Sequence, residues 1–199
     1  MNLPAMKPHQ SLSAIAALAV LTSTASAAII QFDISPASFG DNTIGLSGPN
    51  EVAPNPTTSP ATGNETGAGI SLDTSTGSLT LNFAYGSAFG FVDLLGDYTD
   101  SHVHQAPNDV SGGIVFGLGG LHTPAGTKSG SYTGTAGLSG PQQTALLANQ
   151  FYINIHSTFG PGGEIRGQLV QVVPEPGSVM LLLSGAAAVL GLRRRRAQD

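Results

Sequence analysis

The sequence predicts an all-β protein, an antiparallel β-sandwich with one short helix, and three observations support this fold class. Apolar and polar residues alternate in several short segments, which is the pattern of strands with one buried face. Turn-forming residues separate these segments, and the chain of 199 residues contains 27 Gly and 13 Pro. Only 10% of the residues are charged, which suits short strands joined by turns better than long solvated helices. In the precursor we also expect an N-terminal signal helix and a C-terminal transmembrane-type helix.

The N-terminal segment, residues 1–27, has the three parts of a secretory signal peptide. A lysine makes its start positive, and residues 11–21 form a mostly apolar run that is short for a membrane span. Ala25 and Ala27 supply the small-residue cleavage pattern, so we expect cleavage before Ala28. The alternative is an uncleaved N-terminal anchor.

The middle of the chain, residues 28–171, is the predicted sandwich domain. A helix is predicted over residues 141–149, with Ser139 as N-cap and Pro141 in the first turn. The strands predicted before this helix cover residues 28–35, 44–52, 66–73, 78–85, 101–105, 113–118 and 129–135.

A β-hairpin over residues 151–170 is the clearest local pattern. Apolar residues alternate with polar ones on both arms, and the Gly-Pro-Gly-Gly run at 160–163 predicts the turn. We expect Glu164 and Arg166 to form a structural bridge with Asn154 nearby; the alternative is a ligand-binding arginine. The predicted polar face consists of Tyr152, Asn154, His156, Glu164, Arg166 and Gln168.

Charge and composition exclude several function classes. Residues 28–173 contain two basic residues and ten acids, a formal net charge of −8, which lacks the electrostatic footprint of a nucleic-acid binder. There is no Cys, so neither a disulfide framework nor thiolate chemistry is available. No motif combines a nucleophile with a base and an orienting group, so we expect no enzyme activity.

Three histidines form a candidate metal site. His102 and His104 are two residues apart, so they share one face of a strand, and His156 lies on the polar face of the hairpin. Zn²⁺ or Cu²⁺ would suit three imidazoles, with nearby aspartates to orient them. The alternative, which we expect from spacing alone, is a structural role with no cofactor. His122 is expected in a loop outside this group, and the aspartates at 93–109 in a solvated acidic loop rather than a Ca²⁺ site.

The C-terminal segment, residues 172–199, resembles a PEP-CTERM sorting signal. A Pro-Glu-Pro motif precedes sixteen uncharged, mostly apolar residues and a basic tail, in the order of that family. The resemblance implies recognition by an exosortase, removal of the tail and a Gram-negative source, and the basic tail indicates a cytoplasmic end for the helix. The residues of the motif and tail are Pro174, Glu175, Pro176, Arg193, Arg194, Arg195 and Arg196.

The middle of the chain resembles the CHRD domain. Three blocks carry the likeness: residues 46–55 (LSGPNEVAPN), the His-Val-His of 102–104 with Gly-Gly-Ile-Val-Phe after it, and residues 152–169 (YINIHSTFGPGGEIRGQL). This resemblance implies a fold class and an exported setting rather than a reaction.

Together these observations predict an exported cell-surface or extracellular-matrix protein of a Gram-negative bacterium that acts by binding or structure. We expect exosortase and the secretion machinery as partners during export, with the C-terminal helix in the membrane before processing. Exopolysaccharide or another surface protein is the expected partner afterwards. The alternative is a metal-binding protein or metalloenzyme that uses the three histidines.

Overall fold

The computed structural model describes residues 28–37, 39–40 and 43–173, in which it has eleven strands and one α-helix. The predicted signal helix, most of its cleavage site and the predicted C-terminal helix lie outside these residues. Among the described residues, no helix is long and apolar enough to span a bilayer. The strands are β1 Ile29–Ile34, β2 Leu46–Ser47, β3 Thr62–Glu65, β4 Ile70–Asp73, β5 Ser78–Tyr85, β6 Tyr98–Gln105, β7 Gly113–Gly117, β8 His122–Pro124, β9 Gly130–Gly137, β10 Phe151–Ser157 and β11 Ile165–Gln171, and the helix is α1 Gly140–Leu147.

Every strand pairing in the described part of the chain is antiparallel, which confirms the all-β prediction with one short helix. Strands β11, β10, β6 and β7 form one wing, and β5, β9 and β8 form the other. Strand β1 pairs with both β4 and β11, while β2 pairs with both β3 and β11. Because β3 and β4 both pair with β5, the two wings are joined along one side rather than separated into two sheets.

One hydrophobic core is shared by the two wings. It contains Leu81 and Phe83 from β5 together with Val103 from β6 and Ile153 from β10, all fully buried. Alternation along each strand directs these side chains inward and leaves the polar residues between them on the other face. The other face of the β6–β10–β11 wing therefore carries the polar side chains that form the candidate site.

The β10–β11 hairpin has the register that the sequence predicts. Asn154 pairs with Arg166 and Tyr152 with Gln168, so the polar residues of the two strands share one face. The register is well specified because a slip by one residue would expose the whole apolar set.

Helix α1 begins where the sequence predicts its N-cap. The backbone N–H of Ser139 donates to Gln142 Oε1 at 2.8 Å, which satisfies a donor at the start of the helix. Leu146 is fully buried and anchors the helix on the core. The helix therefore closes one end of the core and leads the chain into β10.

His122 is an exception to the prediction, since it lies in strand β8 and not in a loop. Its ring stands 4.1 Å from that of Tyr98 and 4.9 Å from that of Tyr132, measured between centroids. Its Nε2 lies 3.1 Å from the Tyr85 hydroxyl. Burial lowers the pKa of His122, as is usual for an imidazole removed from water. His122 is thus part of the aromatic packing beside the core.

Candidate metal centre

The pairing of β6 with β10 brings the three predicted histidines together. In this register His104 lies opposite Tyr152, and His102 lies opposite Asn154. His156 lies opposite Asp100, and the register shifts immediately after it. A second irregularity, between β6 and β7, falls next to His104. Bulges bend a strand and redirect its side chains, and both irregularities fall beside a histidine of this group.

The ring nitrogens converge at distances suited to a metal ion. One nitrogen from each of His102, His104 and His156 lies within 4.8 Å of the other two. His102 Nδ1 and His156 Nε2 are 3.2 Å apart. In a tetrahedral site with Zn–N bonds of about 2.0–2.1 Å, neighbouring ligand nitrogens are about 3.3 Å apart. The first pair already has this spacing, and the third nitrogen lies within 4.8 Å of both.

The outer nitrogen of each ring faces a hydrogen-bond acceptor. His104 Nδ1 donates to the Gly112 carbonyl at 2.9 Å, and His156 Nδ1 donates to the Pro161 carbonyl at 3.0 Å. His102 Nε2 lies 3.1 Å from a carboxylate oxygen of Asp100. An acceptor at the outer nitrogen places the ring proton there, so the inner nitrogens of neutral His104 and neutral His156 carry lone pairs.

The electrostatics of the cluster disfavour protons on the inner nitrogens. His104 Nε2 is buried and has no hydrogen-bond partner. Burial lowers the pKa of His104, and its positive neighbours lower that pKa further, against the opposing effect of the Gly112 carbonyl. Burial likewise lowers the pKa of His156. Neutral imidazole is the form that binds metals, and His102 Nδ1 and His156 Nε2 lie 3.2 Å apart.

A stack of side chains supports the buried ligand, His104. Its ring lies parallel to that of Tyr152, with centroids 4.9 Å apart and planes 9° apart. The guanidinium carbon of Arg166 lies 3.5 Å from the centroid of the same tyrosine ring. The Tyr152 hydroxyl accepts from the backbone N–H of Gly112 at 3.0 Å. Tyr152 therefore stacks on the His104 ring and also holds Gly112, whose carbonyl orients that ring.

Comparison with known proteins identifies two families along the chain. The CHRD domain model matches residues 43–169, and the PEP-CTERM protein-sorting motif matches residues 172–196. The chain belongs to the CHRD domain family. The sorting motif indicates an exported surface protein with a membrane-anchored precursor that an exosortase processes. No curated protein and no solved structure matches the chain.

The predicted bridge between Glu164 and Arg166 is not formed in the described part of the CHRD domain. Arg166 donates to the Val110 carbonyl at 3.1 Å and to Gln168 Oε1 at 3.2 Å. These two bonds hold a loop against the strand. Because Arg166 is only 2% exposed, it does not face a ligand. Asn154 is also buried, and it lies between His102 and Arg166 in the sheet register. Glu164 and Arg166 bind different partners because the Arg166 side chain extends along the sheet toward Tyr152.

Glu164 is the anchor of two loops that flank the CHRD sheet. Its fully buried carboxylate accepts from Ser59 Oγ at 2.6 Å and from the backbone N–H of Leu95 at 2.6 Å. It also accepts from the Gly96 N–H at 3.3 Å and from Ser157 Oγ. Two backbone N–H groups and two serine hydroxyls satisfy this carboxylate, and no sequence pattern indicates that these donors meet there.

Glu51 is a buried carboxyl group that the sequence did not single out. It is 8% exposed, and its Oε1 has no hydrogen-bond partner. Burial raises the pKa of Glu51 to about 8, although the charge of Arg166 and the side chain of Asn154 oppose this shift. The only signal for it was its place in the 46–55 block that resembles the CHRD family.

The acidic residues near the histidines do not gather into a second cation site. Asp93 accepts from the backbone and hydroxyl of Ser87 and from Ser129 Oγ. Asp109 accepts from Asn108 on an exposed loop. Within the described ranges, the group of side chains that could hold a metal is the histidine cluster, with Asp100 as its orienting carboxylate.

Proposed function

We propose that the CHRD domain of this exported protein binds one Zn²⁺ or Cu²⁺ ion through His102 Nδ1, His104 Nε2 and His156 Nε2. The observation that carries the proposal is the convergence of three ring nitrogens, one from each histidine, within 4.8 Å of one another. The other nitrogen of each ring faces an acceptor, which orients the ring.

The donor set favours these two metals over others. Three neutral imidazoles suit Zn²⁺ and Cu²⁺, whereas Ca²⁺ and Mg²⁺ prefer oxygen ligands. The chain has no Cys, so thiolate sites for Cu⁺ or iron–sulfur clusters are not available. Three protein ligands leave a fourth position for water or for a group from a partner. The sequence offers no nucleophile or base assembled for turnover, so the ion is proposed to serve binding.

The setting of the mature protein is part of the same proposal. The signal peptide is removed before Ala28, and the tail is removed near Pro176. The mature domain then lies on the cell surface or in the extracellular matrix of a Gram-negative bacterium, where exopolysaccharide or another surface protein is its partner. The sorting motif supports this location because it directs exported proteins to exosortase.

Elemental analysis tests the metal proposal. The untagged protein, purified without chelator and loaded with ZnSO₄, is expected to retain about one ion per chain after gel filtration. His104→Ala should abolish retention. His122→Ala is the matched control because it removes another partly buried imidazole outside the cluster, and it should retain the ion. A wild type without metal, or His104→Ala with undiminished metal, would contradict the proposal.

A further inference from the structure

A cleft beside the histidine cluster contains none of the proposed metal ligands and has its own chemistry, and it touches the cluster at Pro161, whose carbonyl accepts from His156 Nδ1. Its volume is about 300 Å³, which is at the lower end for small-molecule sites. Two segments line it, residues 55–58 and residues 159–163. None of these nine residues is charged. The domain around them has a formal net charge of −8 over residues 28–173.

Both walls of the cleft are fixed by the buried residue Glu164. Thr57 Oγ1 in one wall donates to the Glu164 carbonyl at 3.1 Å. In the other wall, the backbone N–H of Phe159 donates to Ser157 Oγ at 3.1 Å, and that hydroxyl donates to the Glu164 carboxylate. The cleft is therefore largely formed before any ligand arrives, which reduces the ordering that binding requires.

The groups that the cleft presents are one aromatic ring and several neutral polar atoms. Phe159 is 49% exposed, although an apolar side chain of this size is usually buried. The Asn55 amide reaches the Gly162 carbonyl across the cleft in a long, exposed hydrogen bond of 3.4 Å. That bond is easily exchanged for one to a ligand, because both partners already face water.

We propose that this cleft binds a neutral saccharide. The C–H face of a sugar ring is weakly positive and apolar, so it stacks on the electron-rich face of the phenyl ring of Phe159. Sugar hydroxyls both donate and accept, which matches the amide of Asn55 and the backbone carbonyl of Gly162. An anionic polymer is disfavoured because the cleft has no basic group and the domain is acidic. This inference rests on the proposed surface-binding role but not on the proposed metal ion.

Titration calorimetry of the full chain tests the proposal with four probes: cellohexaose, maltohexaose, N-acetylchitohexaose and, as the anionic comparison, hexagalacturonate. At least one neutral probe is expected to bind, and the anionic probe is not. Phe159→Ala should weaken binding about tenfold or more, because it removes the stacking face. Asn55→Ala should weaken it as well. Phe89→Ala is the matched control, since Phe89 is 38% exposed on a different turn, and it should bind as the wild type does.

Far-UV circular dichroism of each variant shows that the fold is intact, and the zinc content of the same samples reports on the metal site separately. Binding of none of the neutral probes, preferential binding of hexagalacturonate, or equal affinity of Phe159→Ala and Phe89→Ala would overturn the proposal. These outcomes are separate from the failure of the metal site, because the zinc content is measured on the same samples.

Discussion

Glu51→Gln is expected to make the protein more stable than the wild type at alkaline pH but not at acidic pH. The carboxyl group is 8% exposed, and its pKa rises from 4.5 to about 8 on folding because burial disfavours the charged form. Below pH 4.5 the group is protonated in both the folded and the unfolded state. Between pH 4.5 and 8 the unfolded chain releases this proton and the folded chain keeps it, so this group lowers the stability of the folded state as pH rises.

The size of the effect follows from the shift. Each pKa unit corresponds to about 1.4 kcal/mol, so the full shift is worth about 5 kcal/mol, and local water entry reduces it to about 3–5 kcal/mol. Glutamine has nearly the same shape as glutamic acid and does not titrate. The difference in free energy of unfolding between the variant and the wild type should therefore grow from pH 4.5 to 8 and level off above it.

Urea unfolding at intervals across pH 4.5–8.5 measures this difference for Glu51→Gln. Histidine titrations are common to both proteins and cancel in the subtraction. Asp73→Asn is the control, because hydrogen bonds from Ser75 lower the pKa of Asp73 and its titration falls below this range. The control difference should be flat. If the difference in free energy of unfolding for Glu51→Gln is also independent of pH, Glu51 is not buried as an uncharged carboxyl group.

Three further predictions concern packing and processing. Glu164→Gln should lower the free energy of unfolding by about 3–5 kcal/mol in urea titrations, because an amide presents hydrogens to donors that now face a carboxylate; wild-type stability would contradict the anchoring role. His122→Ala should lower stability by about 2–4 kcal/mol through lost aromatic packing and an unpaired Tyr85 hydroxyl; an unchanged melting temperature would show that this packing is unimportant. The intact mass of protein recovered from an exporting host should correspond to a chain that begins near Ala28 and ends near Pro176, and a full-length mass would exclude both cleavages.

Local patterns predicted much of the sheet. Strand β5 has the bounds that alternation gave, and the β10–β11 hairpin has the expected register. Both depend on residues close in sequence, so period-two alternation and a Gly-Pro turn were sufficient. The short strands β2 and β3 were not predicted at their observed bounds, because two to four residues give too little periodicity. They pair with each other across a loop, and β2 also pairs with the distant strand β11.

The candidate site could be predicted only in part. Sequence spacing placed His102 and His104 on one face, but their approach to His156 depends on the long-range pairing of β6 with β10. The carbonyls of Gly112 and Pro161 set the ring protons, and a backbone carbonyl carries no residue-specific signal. The predicted Glu164–Arg166 bridge was wrong for the same reason. Same-face spacing makes the pair possible, but Arg166 donates to a backbone carbonyl and Glu164 accepts from a backbone N–H instead.

X-ray absorption spectroscopy of the zinc-loaded protein tests the central claim most directly. We expect a zinc edge spectrum fitted by three imidazole nitrogens at about 2.0–2.1 Å and one oxygen ligand. The His104→Ala protein, supplied with the same equivalent of zinc, should show only the six-oxygen pattern of the hydrated ion. A six-oxygen spectrum for the wild type, or the same imidazole count in both proteins, would contradict a metal centre built from His102, His104 and His156.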